Sequence, residues 1–314
     1  MRISSSELRY DLYRVRSVPK QTESRDPVPY QPPRDTADRP VTVIGGGTLG
    51  RRIALMFASG GAEVRIHDLS DEVRAAAVGY VEETLPGVVA ARDGATAGTV
   101  RGEADLEAAV VDAWLVVEAV PERLDLKTPL FGRLDALVAA DTILATNSSS
   151  YASRLVIDEV EHPERVLNVH FYMPPQQNAV DLMSDGQTDP AVIDLLLEVL
   201  PRYGVHPFLA RRESTGFIFN RIWAAIKREA LAVVADGVST PEDVDAMWQV
   251  NSGAPAGPFR MMDQVGLDVV LDIEEHYSAE DPNLPEGPRR LLREHVDAGH
   301  LGVKTGQGFY RYDD

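Results

Sequence analysis

The chain has 314 residues, 44% of them hydrophobic, with a formal net charge of −18 and no cysteine. That length can bury a sizeable core and suggests two domains, while the charge repels phosphates and argues against a nucleic-acid partner. Without cysteine there are no disulfides, thiolate catalysts or thiolate ligands, and seven histidines scattered without ligand spacing give no reason to expect a metal. No apolar run reaches the roughly 18 residues of a membrane span and no signal-peptide core opens the sequence, so a cytoplasmic protein independent of membranes is expected.

Residues 1–38 hold several prolines, mixed charges and little periodicity, and read as an arm, flexible or anchored through Tyr10, Leu12, Tyr13 and Tyr30. Val41–Ile44 then forms a short β-rich run, followed by the turn Gly45-Gly46-Gly47-Thr48-Leu49-Gly50, a helix over Arg51–Ser59 and a second strand over Glu63–His67. Gly45 permits the sharp exit from the strand, Gly47 permits backbone to approach a pyrophosphate, and Gly50 permits close packing of helix on strand. The helix N-terminus, with the Thr48 and Leu49 amides, faces the phosphates. Asp68 stands 18 residues after Gly50, where a carboxylate accepts ribose hydroxyls and disfavours a 2′-phosphate, so the cofactor expected is NAD. Asp68 also suits a helix N-cap before Glu72, since Ser70 and Asp71 follow, and the two roles are compatible.

Further strands are expected at Ala113–Ala119, Thr142–Thr146, Val166–Phe171, Ala179–Met183 and Val205–Ala210, with a loop over Gly87–Gly102. Strands alternating with helices indicate a parallel sheet covered on both faces. After Ser214 the pattern turns helical, with a long amphipathic stretch over Phe217–Ala235 and a capped start at Thr240-Pro241. The fold class is therefore α/β: a Rossmann-type, doubly wound, mostly parallel sheet over residues 39–212, followed by a smaller all-helical domain over 213–314.

The residues suited to chemistry cluster at strand ends. Glu118 and Glu122 follow the third expected strand and should line the cofactor cleft, with Lys127 a turn or two into the next helix; Glu122 equally suits a cap. Asn147 and Ser149, in Thr146–Ser150, can bond a substrate oxygen or the nicotinamide ribose, or cap the helix expected near Ala152. His170 ends the strand Val166–His170, where ligands sit in an open parallel sheet. Asp181 follows 11 residues later on another apolar run and can return to orient the imidazole as an acid–base pair. Asn220 is polar near the start of an apolar helix, facing either the interdomain cleft or a neighbouring helix.

Together these residues resemble the 3-hydroxyacyl-CoA dehydrogenase family from about Val41 to Tyr312. The resemblance rests on the glycine turn, Val116–Glu122, Asp125-Leu126-Lys127, Asn147–Ser150 and His170-Phe171. It continues through Gly216–Arg221, Gly257-Pro258-Phe259 with Asp263, Gly266-Leu267-Asp268, and Lys304–Tyr310. It implies an NAD-binding domain and a helical domain like that ending 6-phosphogluconate dehydrogenase, commonly a homodimer, with a small-molecule substrate between the domains. It further implies that His170 takes the substrate hydroxyl proton, that Asp181 supports it where the family has glutamate, that Ser149 contacts the substrate oxygen and that Asn220 completes the site.

The family usually reads His-Phe-Phe-Asn-Pro, whereas Met173 stands here in place of the asparagine, and Asp181 is a shorter acid. The stretch between Asp68 and Ala113 is shorter than in typical acyl-CoA enzymes and lacks lysine, leaving Arg74, Arg92 or Arg101 to meet a CoA phosphate or a carboxylate. The Pro174-Pro175 pair and the short stretch are also similar to the L-gulonate 3-dehydrogenase branch, which oxidises a free hydroxy acid. A catalytically weak NAD-binding protein is the third reading.

Overall fold

The computed structural model describes residues 30–312; Tyr10, Leu12 and Tyr13 lie outside the described residues. Eight strands form one sheet: β1 (Val41–Ile44), β2 (Glu63–His67), β3 (Thr99–Glu103), β4 (Leu115–Glu118), β5 (Ile143–Thr146), β6 (Val166–Phe171), β7 (Ala179–Ser184) and β8 (His206–Ala210). Their spatial order is β3-β2-β1-β4-β5-β6-β7-β8, with only the β6–β7 pairing antiparallel. Strands β1, β4, β5 and β6 are buried along their whole length, as a doubly covered parallel sheet requires. Side chains alternate between the faces: Val41, Val43, Val117 and Ala145 pack beneath α1 (Thr48–Ser59), α2 (Asp71–Ala90) and α5 (Pro190–Val199), while Ile44, Val116 and Leu144 pack beneath α3 (Leu106–Val110) and α4 (Leu124–Leu137).

The expected loop over Gly87–Gly102 is corrected: it holds the last turn of α2, a short connection and most of β3. Helix α2 runs on past Pro86 because Ala77, Val81 and Leu85, four residues apart, seat it on the sheet. Strand β3 hides from sequence reading because it is an edge strand whose residues are exposed or half-buried, so apolar alternation is weak. Tyr30 anchors the start of the described chain, half-buried, with its hydroxyl donating to the Asp141 carbonyl at 2.8 Å.

Past β8 the chain becomes helical: α6 (Phe219–Ala235), α7 (Pro241–Ser252), α8 (Pro258–Val265), α9 (Leu267–Glu280) and α10 (Glu286–Asp297). Leu231, Phe259, Met262, Leu267 and Leu292 make its core. Two buried aspartates tie it together: Asp245 accepts from the first-turn amides of Phe259 and Arg260, and Asp263 accepts from Phe309 N, Tyr310 N and the Tyr312 hydroxyl. Among the described residues no helix is long and apolar enough to cross a membrane.

Candidate active site and cofactor cleft

Strand order reverses between β1 and β4, and the glycine turn sits at that switch point, where open α/β sheets bind ligands. Gly45 has φ +104°, and a Cβ there would lie 2.6 Å from the Ala119 carbonyl oxygen; a Cβ on Gly50 would lie 1.9 Å from the Gly45 oxygen. Neither position admits a side chain. Gly47 instead faces open space within 4 Å and caps α1 with no side-chain bond, leaving the amides of Thr48, Leu49 and Gly50 without helical partners. That is a bare anion cradle, and a dinucleotide pyrophosphate fits it. Helix α1 begins at Thr48, one turn earlier than expected, which places those amides at the turn itself.

Asp68 closes the other side. It accepts from Gly46 N at 2.8 Å and Ser70 N at 2.9 Å, and lines an open cleft of about 760 Å³ with Gly45, Gly47, Val120, Leu126 and Arg133. The N-cap of α2 is Ser70, which accepts from Val73 N, so Asp68 does not cap it.

Glu118 and Lys127, both expected at the cofactor, are 0% and 1% exposed and are paired with each other. Lys127 Nζ sits 2.7 Å from Glu118 Oε1 and 3.1 Å from Glu122 Oε2, while Glu118 also accepts from Val120 N and the Thr146 hydroxyl. Burial of both charges requires such pairing, and the network ties the ends of β4 and β5 to α4. Glu122 lines a second cavity, shared with Ser149 and Asn220; it accepts from Ser150 N and the Ser148 hydroxyl, and does not cap α4. Asn147 is buried and spends its carbonyl on Phe171 N at 2.8 Å, locking the end of β5 to the end of β6. It caps no helix: the short turn at Ser153 has no side-chain cap.

His170 ends up opposite Asp181 in the β6–β7 ladder, and its Nδ1 lies 3.6 Å from Asp181 Oδ2, with both residues buried. Antiparallel pairing of adjacent strands is what brings the acid back to the imidazole. The ring stacks on Phe217 at 4.9 Å with 4° between planes, and meets the edge of Tyr172 at 4.6 Å. Phe217 holds φ +53°, a left-handed conformation costly for a non-glycine residue, just after Gly216 at φ +73°. This strained linker between β8 and α6 lays the phenyl over the imidazole.

Sequence reasoning missed Tyr172. Its hydroxyl donates to Asp181 Oδ2, and burial with the neighbouring carboxylate pushes the phenol well above its ordinary range. The signal was present, since Tyr172 occupies the second phenylalanine position of His-Phe-Phe-Asn-Pro.

Ser149 and Asn220 both line a cavity of about 580 Å³, walled also by Trp223, Met262, Val270 and Ile273. Among the described residues neither side chain has a hydrogen-bond partner within the protein, so Asn220 does not tie helices together. Lys227, two turns after Asn220 on α6, lines the same cavity, is 3% exposed, and was also missed. It forms no ion pair among the described residues; the nearby Glu274 accepts from Arg228 at 2.8 Å through Oε2, and its Oε1 is left without a partner. Burial pushes the Lys227 ammonium down to about 8.

The arginines considered for a CoA phosphate are committed elsewhere: Arg74 to the Asp68 carbonyl and Asp71, Arg92 to the Ser59 carbonyl, and Arg101 to Glu63 and Glu103. Helix α2 passes through a short connection into β3 with no second helical arm.

Residues 40–213 match the NAD binding domain of 3-hydroxyacyl-CoA dehydrogenase and residues 216–312 its C-terminal domain. The human mitochondrial hydroxyacyl-coenzyme A dehydrogenase is 31% identical over 285 residues, covering 87% of this chain and 90% of that protein. A Mesorhizobium japonicum 5-formyl-3-hydroxy-2-methylpyridine 4-carboxylate 5-dehydrogenase is 30% identical, covering 87% and 91%. The crystal structure of (S)-3-hydroxybutyryl-CoA dehydrogenase from Ralstonia eutropha superposes with a TM-score of 0.78 at 28% identity, covering 88% of this chain and 99% of that one. Glycine turn, strand-end histidine, interdomain cavity and similarity over residues 40–312 agree: the chain is an NAD-dependent oxidoreductase belonging to the 3-hydroxyacyl-CoA dehydrogenase family.

Proposed function

We propose that the protein interconverts 3-hydroxyacyl-CoA and 3-oxoacyl-CoA in fatty acid metabolism, with His170 as general acid–base. The observation that carries this reading is His170 at the carboxyl end of β6, its Nδ1 turned to Asp181. That leaves Nε2, on the far edge of the ring, for the substrate. Bound NAD supplies the hydride acceptor. In oxidation Nε2 takes the proton of the C3 hydroxyl while the C3 hydrogen leaves as hydride, and the charge gained by the imidazole faces the Asp181 carboxylate. In reduction the imidazolium returns that proton to the 3-oxo oxygen. The Ser149 hydroxyl bonds the reacting oxygen and the Asn220 amide completes the polar wall. Holding both reactants between the domains supplies an orientation effect.

A second reading, a dehydrogenase of free hydroxy acids, is favoured by one observation: Lys227, a buried cation without a protein partner in the substrate cavity. An anionic substrate would give it one. The Mesorhizobium relative's named substrate is likewise a carboxylate.

NADH oxidation with acetoacetyl-CoA, beside free 3-oxo acids at matched concentration, tests both. Turnover confined to the thioester is the expected outcome; turnover confined to free acids replaces it with the second reading. NADH binding with no turnover on either class would mark a catalytically weak binding protein. Exposed Ile222, Val238, Met247 and Val250 on the helical domain support a homodimer, which light scattering on the same preparation would show as twice the chain mass.

A further inference from the structure

His170 and Asp181 do not satisfy each other. His170 Nδ1 is buried with no hydrogen-bond partner, and at 3.6 Å Asp181 Oδ2 is too far to be one. The same Oδ2 accepts the Tyr172 hydroxyl. An aspartate reaches one methylene less far than the family's glutamate, and its oxygen is engaged by a phenol that phenylalanine cannot supply. Tyr172 is itself held in place: its ring meets the edges of His170 and of Phe219 on α6.

We propose that Tyr172 is a positioning residue that competes with His170 for the Asp181 carboxylate and so holds down the proton affinity of the imidazole. This rests on reading His170 as the acid–base group. A donated hydrogen bond draws charge onto the phenol side of the carboxylate and occupies a lone pair, leaving less attraction for an imidazolium. The phenol stays protonated through the neutral range, because burial and Asp181 both raise it, so the donor is present at every working pH.

The groups facing the pair from its neighbours are few. Strand β8 sets Phe208 opposite Asp181, the start of α6 and its lead-in contribute Phe217 and Phe219, and β5 ends in Asn147. Helix α1 sends Arg52 to the Pro174 carbonyl and Gln176, while Glu122 and Lys227 line the cavity shared by Ser149 and Asn220, of which neither His170 nor Asp181 is a wall. Asp181 and Tyr172 are therefore the titratable side chains in direct contact with the imidazole.

Tyr172→Phe removes the hydroxyl and keeps the ring. With NADH bound, the His170 imidazole, assigned by NMR against His170→Gln, is expected to titrate roughly one pH unit higher than in the parent. The acidic limb of the oxidation profile should move upward by the same amount while NADH affinity stays unchanged. Asp181→Glu, which lengthens the acid toward Nδ1 with Tyr172 in place, should shift the midpoint in the same direction. A midpoint unmoved or lowered in either folded variant overturns the proposal. The NMR titration reads the imidazole itself, so it stands apart from whether His170 moves the proton in turnover, which the activity of His170→Gln decides.

Discussion

Lys227 is charged, nine-tenths buried and without a hydrogen-bonded partner, and that arrangement has a thermodynamic signature. Its ammonium falls from an ordinary 10.5 to about 8 in the folded protein, so the unfolded chain binds the proton more tightly. The penalty is full below pH 8 and is relieved as the pH rises from about 8 to 10.5, amounting to roughly 3 kcal/mol. Lys227→Met is expected to be more stable than the parent at pH 7 by up to about 3 kcal/mol. The gap between the two should close toward pH 10.5 in urea unfolding, and a gap independent of pH contradicts the assignment. On the proposed function, this buried cation in the cavity lined by Ser149 and Asn220 stands where an anionic substrate would pair with it. Little in the sequence marks Lys227, since it occupies an ordinary helical position and only tertiary burial isolates it. His170 was legible because a strand end in a parallel sheet is a defined place. The pairing of Glu118 with Lys127 was not legible, because the sequence shows two charges near a strand end but not that they neutralise each other.

At the scale of elements, the strand–turn–helix–strand unit was legible almost whole, because each glycine answers a local steric demand. The Cβ clashes at Gly45 and Gly50 and the open space at Gly47 are those that turn predicts. Asp68 completes the unit, bonded to Gly46 N and facing the cleft. Asp68→Ala removes the carboxylate proposed to accept the ribose hydroxyls and to repel a 2′-phosphate. Preference for NADH over NADPH should then fall by about tenfold or more in cofactor titrations, corresponding to about 1.4 kcal/mol. Unchanged selectivity would mean that the carboxylate serves only the turn. Strand β3 and the last turn of α2 were not legible, because an exposed edge strand lacks alternation and a proline inside a helix reads as a stop.

Across the whole molecule, the sheet carries the dinucleotide cradle and the His170–Asp181 pair, and the helices carry Asn220, Lys227 and most of the cavity wall. The strained Gly216-Phe217 linker joins the two and sets a ring from the helical side against the imidazole. Neither domain alone contains the proposed site. Cofactor binding and proton transfer are thereby assigned to different residues, and the two should separate experimentally. The decisive measurement is NADH oxidation by His170→Gln on whichever 3-oxo substrate the parent reduces, with NADH affinity measured on the same sample. The account predicts turnover reduced by at least about a thousandfold, on the order of 4 kcal/mol, with NADH affinity within a factor of about two. Turnover close to the parent's, or NADH affinity lost together with turnover, would contradict it.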